Sequence, residues 1–184
     1  AKRKIDDIAV ELLRVQAKRE LSNGYKFSLD NLAYNKFCSL FPYVETDDQL
    51  NTINDVISDM CSIKSMDRVV CGDVGFGKTE VILRASFIAA NNDKQVVIIV
   101  PTTVLAKQHF ETFKRRFAKN SQNISIVTRA TSRPERLSII NKLYNNQIHI
   151  LIGTHALLNK DFKCADLGLL IIDEEHKFGV KHKE

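Results

Sequence analysis

Residues 69–83 read VVCGDVGFGKTEVIL, two apolar runs enclosing three glycines, a lysine and a threonine. Within them Gly72-Asp73-Val74-Gly75-Phe76-Gly77-Lys78-Thr79 fits GxxxxGK(S/T) at every fixed position. The apolar run RVVC before it reads as a strand, and the residues from Thr79 to about Ala90 read as an amphipathic helix, which is the context this motif requires. The glycines let the backbone curl so that successive N–H groups face an anion, and the helix adds its positive dipole end. Lys78 is expected to reach the β- and γ-phosphates of a bound nucleotide, and the Thr79 hydroxyl to ligate Mg²⁺.

Outward from this loop the pattern repeats. QVVIIV (95–100) precedes a helix expected from Val104 to about Phe117, and ISIVT (124–128) precedes one from about Pro134 to Asn145. Ser132 and Glu135 stand at capping-box spacing at the start of the latter. IHILIG (148–153) and LGLLIIDEEH (167–176) complete the series. Val-, Ile- and Leu-rich runs alternating with helices predict an α/β fold, a parallel sheet covered by helices on both faces.

A phosphate loop needs a carboxylate at the tip of another strand. Asp173 stands at the end of LGLLII, where such a sheet opens on its ligand crevice. It is expected to hold Mg²⁺, and Glu174 to orient and deprotonate the attacking water. The guanine-specifying pattern NKxD is approached only by Asn141-Lys142-Leu143-Tyr144, which lacks the aspartate and falls on a predicted helix. That argues against GTP.

The totals narrow the class. The 184 residues suffice for one α/β domain with a small appendage. No apolar run approaches the roughly 20 residues of a membrane-spanning helix. The start, AKRKIDDIAVELL, is not a signal peptide, so the reading is cytoplasmic and without membrane contact. Cys38, Cys61, Cys71 and Cys164 form no CxxC pair, which leaves zinc and disulfide readings without support. A net charge of +5 permits nucleic-acid binding without requiring it.

Before the alternating pattern, Ile5, Ile8, Leu12 and Val15 recur at helical steps. Ser22-Asn23-Gly24 is expected to end that helix, and a second short one to follow Ser28 through Leu32 and Phe37. Residues 1–40 thus read as a helical lead-in needing something to lean on, and 41–184 as the main domain.

These motifs carry a resemblance. DEEH after a phosphate loop resembles the superfamily 2 helicases and translocases. GDVGFGKTE, VPTTVLAKQHF, ILIGTHALL and LLIIDEEHKFGV are similar to motifs I, Ia, Ic and II of the bacterial transcription-repair coupling factors. RecG-type fork helicases are the nearest alternative, but usually have Ser at the place of Phe76 and DEQH for DEEH. The resemblance implies a RecA-like motor lobe with ATP and Mg²⁺ as cofactors. It places Gly72 through Glu80 at the ATP, Lys78, Asp173 and Glu174 in catalysis, and Thr79 and Asp173 at the metal.

It also implies that Gln49 reads the adenine edge with Phe41 packed nearby, although Thr46-x-x-Gln49 is equally a capping box opening a helix through Leu50, Ile53 and Ile57. Thr102, Thr103 and Gln108, Gly153, Thr154 and His155, and Arg129 would contact a DNA strand. Turn and N-cap chemistry would suit Thr102 and Thr154 equally well. Lys107, Lys114, Arg115 and Arg116 make the helix after Thr103 basic, and His176 would couple ATP state to DNA state. The family usually has an aromatic and a cation where Ala130 and Thr131 stand, and arginine at Lys177, so the DNA contacts there are expected to be altered.

On this reading the chain is the first lobe of a double-stranded DNA translocase, incomplete at its C-terminal end. RNA polymerase and the excision-repair protein UvrA would be partners through modules outside these residues. A second lobe supplies an arginine finger worth roughly 10³–10⁵ in turnover, so this piece is expected to bind ATP and hydrolyse it slowly at best. Two readings compete with it: a RecG-type branched-DNA helicase lobe, and a non-enzymatic ATP-binding module.

Overall fold

The computed structural model describes residues 24–72 and 77–173. The expected helix over residues 5–20 lies outside them, as do Asp73, Val74, Gly75, Phe76, Glu174, His176 and Lys177.

Among the described residues five α-helices and four strands follow one another: α1 (Asn31–Cys38), α2 (Asp47–Met60), α3 (Lys78–Asn91), β1 (Gln95–Ile99), α4 (Thr103–Arg116), β2 (Ile124–Val127), α5 (Arg133–Tyr144), β3 (Ile150–Gly153) and β4 (Leu167–Ile172). The sheet is parallel throughout, in the order β2-β3-β1-β4. Register aligns Ile98 with Ile152 on one side and with Ile171 on the other.

The helix starts follow the sequence closely because side chains cap them. Asp30 caps α1, Thr46 caps α2 in a reciprocal box with Gln49, Thr102 caps α4 and Ser132 caps α5. Each supplies an oxygen to a backbone N–H that the helix leaves unpaired.

Alternation along the central strands divides the core into two layers. Val96, Ile98, Ile150 and Ile152 face α1 to α4, joining Phe37, Met60, Phe87 and Phe113. Val97, Ile99 and Leu151 face α5, joining Ile139 and Leu143. At the start of β1, Gln95 is fully buried yet satisfied. Its amide donates to the Leu143 and Ile148 carbonyls at 2.8 Å each and accepts from the Asp166 N–H at 3.0 Å.

Residues 24–40, the described part of the expected lead-in, are packed onto the main core. Phe27, Tyr34 and Phe37 are buried there, with the Phe37 and Phe87 rings stacked at 4.4 Å. The Phe27 N–H donates to the Met60 carbonyl at 3.0 Å.

One expected element is absent from the sheet. RVVC is not paired as a strand, and Val69 is 75% exposed. A strand exists only through a neighbour's ladder, and among the described residues β4 pairs with β1 alone. Arg68 is instead held by α2, through Asp59 at 2.6 Å and Asp55 at 3.2 Å. The same open edge explains β4 itself: its residues were expected to be buried, but Leu167, Leu170 and Ile172 are exposed and only Leu169 is fully covered.

Candidate nucleotide and nucleic-acid site

Helix α3 has no side-chain cap, unlike the other described α-helices. Its N-cap is Gly77 in the left-handed conformation, φ 77°. The N–H groups at the start of a helix without a side-chain cap suit an anion, although that of Glu80 already donates to the Gly77 carbonyl at 2.9 Å. The Lys78 ammonium donates to the Gly72 carbonyl at 2.6 Å. Thr79 is exposed in the first turn.

Gln49 meets this loop from α2. A Cβ on Gly77 would stand 2.1 Å from the Gln49 amide nitrogen, so the glycine makes room for that amide. The Gln49 carbonyl oxygen accepts from the Thr46 N–H at 2.9 Å, and the Thr46 hydroxyl accepts from the Gln49 N–H at 3.3 Å. The capping box and the approach to the loop coexist, one orienting the other. Phe41 lies near, under the guanidinium of Arg84 at 6.0 Å and that of Arg116 at 5.7 Å.

Glu80, expected at the nucleotide, has its side chain held by two arginines. Its carboxylate is buried and engaged by Arg84 at 2.8 Å and by both terminal nitrogens of Arg116 at 3.0 Å. Arg84 also pairs with Glu45. One turn into the helix, the Glu80 side chain thus joins a junction of α3, α4 and the segment before α2. Arg116 is accordingly not a free surface cation.

Only residues 92–94 separate α3 from β1, so the helix runs back along the sheet and its start lies at the C-terminal edge of the strands. Asp173 occupies that same edge, immediately after β4, with its N–H on the Ile99 carbonyl at 2.9 Å. Its carboxylate receives the Nε2 of His109 at 3.0 Å. His109, to which the sequence assigns no role, is buried on α4 with Ala106 and Phe113. Hydroxyl and carboxylate oxygens from Thr79 and Asp173 are the hard donors that suit Mg²⁺.

Most of the residues expected at DNA follow strand ends, which in a parallel sheet open on one edge. Thr102 and Thr103 follow β1; the Thr102 hydroxyl is used as an N-cap, accepting from the Leu105 N–H at 3.2 Å. Gln108 is exposed on α4. Arg129 follows β2 and His155 follows β3, and these two approach to 3.5 Å. Gly153 is required by packing, since a Cβ there would stand 2.4 Å from the Val127 carbonyl oxygen. Thr154 is buried, and its hydroxyl has no partner among the described residues. At the altered position, Thr131 closes a turn by accepting from the Thr128 N–H at 2.9 Å, and Ala130 is exposed.

Comparison with known proteins agrees with this geometry. The DEAD/DEAH box helicase family model matches residues 46–184. The chain is 53% identical over its full length to the transcription-repair-coupling factor of Haemophilus influenzae, and 51% identical to that of Escherichia coli. It spans 16% of each of those relatives. Over 98% of its length it is 51% identical to the Bacillus subtilis protein of the same name, 15% of which it covers. Among solved structures, RecG bound to a three-way DNA junction matches with a TM-score of 0.82 and 34% identity, over 90% of this chain and 23% of that one.

Proposed function

The chain belongs to the DEAD/DEAH box helicase family, and from that premise we propose that it is the ATP-binding first motor lobe of a double-stranded DNA translocase of the transcription-repair-coupling type. The observation that carries the nucleotide reading is the start of α3 without a side-chain cap, with Lys78 bonded to the Gly72 carbonyl and Gln49 set against Gly77. Residues 41–184 form the lobe, with 1–40 as its lead-in.

Nucleotide phosphates displace the Gly72 carbonyl as the partner of Lys78, and the N–H groups at the start of α3 take the remaining charge. Gln49 and Phe41 present an amide and a ring to the base. Thr79 and Asp173 would hold Mg²⁺, which would supply charge neutralisation at the phosphates, and Glu174 would position the water. Thr102, Thr103, Gln108, Arg129, Gly153, Thr154 and His155 line the strand ends that face a DNA backbone, whose phosphates they hold without reading bases. His176 links the two sites. Removal of stalled RNA polymerase and recruitment of UvrA belong to the longer protein.

The name shared by the relatives favours this reading over a RecG-type lobe, whose identity to the chain is lower. The test is Glu174→Gln in a protein carrying both motor lobes. ATP binding is expected to survive and DNA-stimulated turnover to be lost. Turnover that persists in Glu174→Gln would contradict it, and absence of turnover in the unmodified two-lobe protein would favour a non-enzymatic nucleotide module.

A further inference from the structure

His109 lies in an apolar helical stripe between Ala106 and Phe113, where a histidine ordinarily serves only packing. Its surroundings are consistent with that on one side: the ring is 6.5 Å from that of Phe113, and Nδ1 is buried with no partner among the described residues. The other nitrogen is different. Nε2 meets the Asp173 carboxylate at 3.0 Å, with the two side chains only 7% and 16% exposed. A bare nitrogen facing a carboxylate would be repulsive, so the proton sits on Nε2 and the imidazole donates. Leaving a buried Nδ1 unsatisfied costs free energy, which the bond to Asp173 offsets.

We propose that His109 is a positioning residue for the metal site: its Nε2–H fixes the Asp173 carboxylate in the orientation that meets Mg²⁺. This rests on the nucleotide reading above. Asp173 stands immediately after β4, where its backbone contact to Ile99 sets its height. Its carboxylate is met from α4. That helix begins at Thr102 and Thr103 and ends at Arg116, which grips Glu80 of the phosphate-loop helix. One rigid element therefore touches the strand-facing edge, the metal carboxylate and α3. Partners that orient metal-binding side chains typically change metal affinity by roughly 10- to 100-fold when removed.

The test is titration of the full 184-residue chain with ATP, in Mg²⁺ and in EDTA, with a thermal melt of every variant. His109→Phe keeps a ring beside Phe113 and removes the donor; His109→Gln places an amide N–H near the Nε2 position. The Phe variant is expected to lose about tenfold of the Mg²⁺-dependent gain in affinity, with metal-free binding unchanged, while Gln retains most of that gain. Should the Phe variant unfold, His109→Asn, whose amide falls short of Asp173, carries the same expectation. A merely structural role would shift the melts without separating the two titrations. Full Mg²⁺ dependence in the Phe or Asn variant, or equal loss in Gln, overturns the proposal. ATP binding by the unmodified chain without any Mg²⁺ gain overturns it while leaving the nucleotide reading; no ATP binding at all overturns both.

Discussion

Arg116 grips Glu80 with both prongs of its guanidinium, Nη1 on Oε2 and Nη2 on Oε1, each at 3.0 Å. The pair joins the helix that starts at the phosphate loop to the helix that starts at Thr103. With Arg84 and Glu45 it makes a largely buried alternation of charges, in which Arg116 Nε alone of the arginine nitrogens is buried without a partner among the described residues. Two parallel bonds fix the angle between the helices as well as their distance.

Breaking this network leaves buried charge without a partner. Glu80→Ala is expected to destabilise the chain by about 3–5 kcal/mol, because it removes the only carboxylate that holds Arg116 among the described residues and leaves Arg84 with Glu45 alone. Arg116→Lys, which replaces a fork by a point charge, should cost less but more than a surface change would. Urea unfolding midpoints of the three proteins measure this, and a Glu80→Ala midpoint equal to that of the unmodified chain would contradict it.

Gly77→Ala separates conformation from packing. A left-handed backbone costs an L-residue about 1–2 kcal/mol, and the new Cβ would also displace the Gln49 amide. Stability should fall by that modest amount, whereas ATP affinity should fall at least about tenfold, since the N–H groups that face the anion are re-aimed. Urea unfolding read beside ATP titration distinguishes the two losses, and a loss of stability with intact binding would show that the loop is not the site.

Acid sensitivity follows from Glu45. Its hydrogen bond with Arg84, the largest cause, holds the carboxyl below the usual glutamate value. The folded form therefore binds the proton less well than the unfolded form. The stabilisation is fully present above the ordinary glutamate pKa of about 4.3, and is lost as pH falls from there through the depressed folded value. Glu45→Gln should lower stability at neutral pH and flatten the acid limb of the stability profile. An unchanged acid limb would contradict the assignment.

Much of this was legible in the sequence, and the misses share a cause. Thr46, Thr102 and Ser132 cap helices at their expected places because capping is a contact across three residues, written locally. The parallel sheet follows from the period of the apolar runs. RVVC had the same local character, yet whether it is a strand depends on a neighbour elsewhere in the chain. Glu80 belonged to a loop motif by position, but its partner Arg116 lies 36 residues on. His109 sat in a helical apolar stripe, and only the fold reveals Asp173, 64 residues away, at its Nε2.

Thiol reactivity reports the loop directly. Cys71 is exposed beside Gly72, whereas burial raises the Cys38 and Cys164 thiols above their ordinary value. Since the thiolate is the reactive form, iodoacetamide at neutral pH should alkylate Cys71 before Cys38 and Cys164, and Mg-ATP should slow that reaction. Peptide mass spectrometry gives the order. Labelling of Cys38 or Cys164 ahead of Cys71, or no protection by Mg-ATP, would contradict the placement.

The most direct measurement is calorimetric titration of this chain with Mg-ATP and then Mg-GTP, beside Lys78→Ala and Gln49→Ala. Binding should prefer ATP and weaken by about 1.5–3 kcal/mol without the lysine, the worth of a charge-assisted hydrogen bond. Without the glutamine it should lose its preference between the bases. Binding that is undiminished in Lys78→Ala, or no binding by the unmodified chain, would contradict the assignment of residues 72–79 as the ATP site.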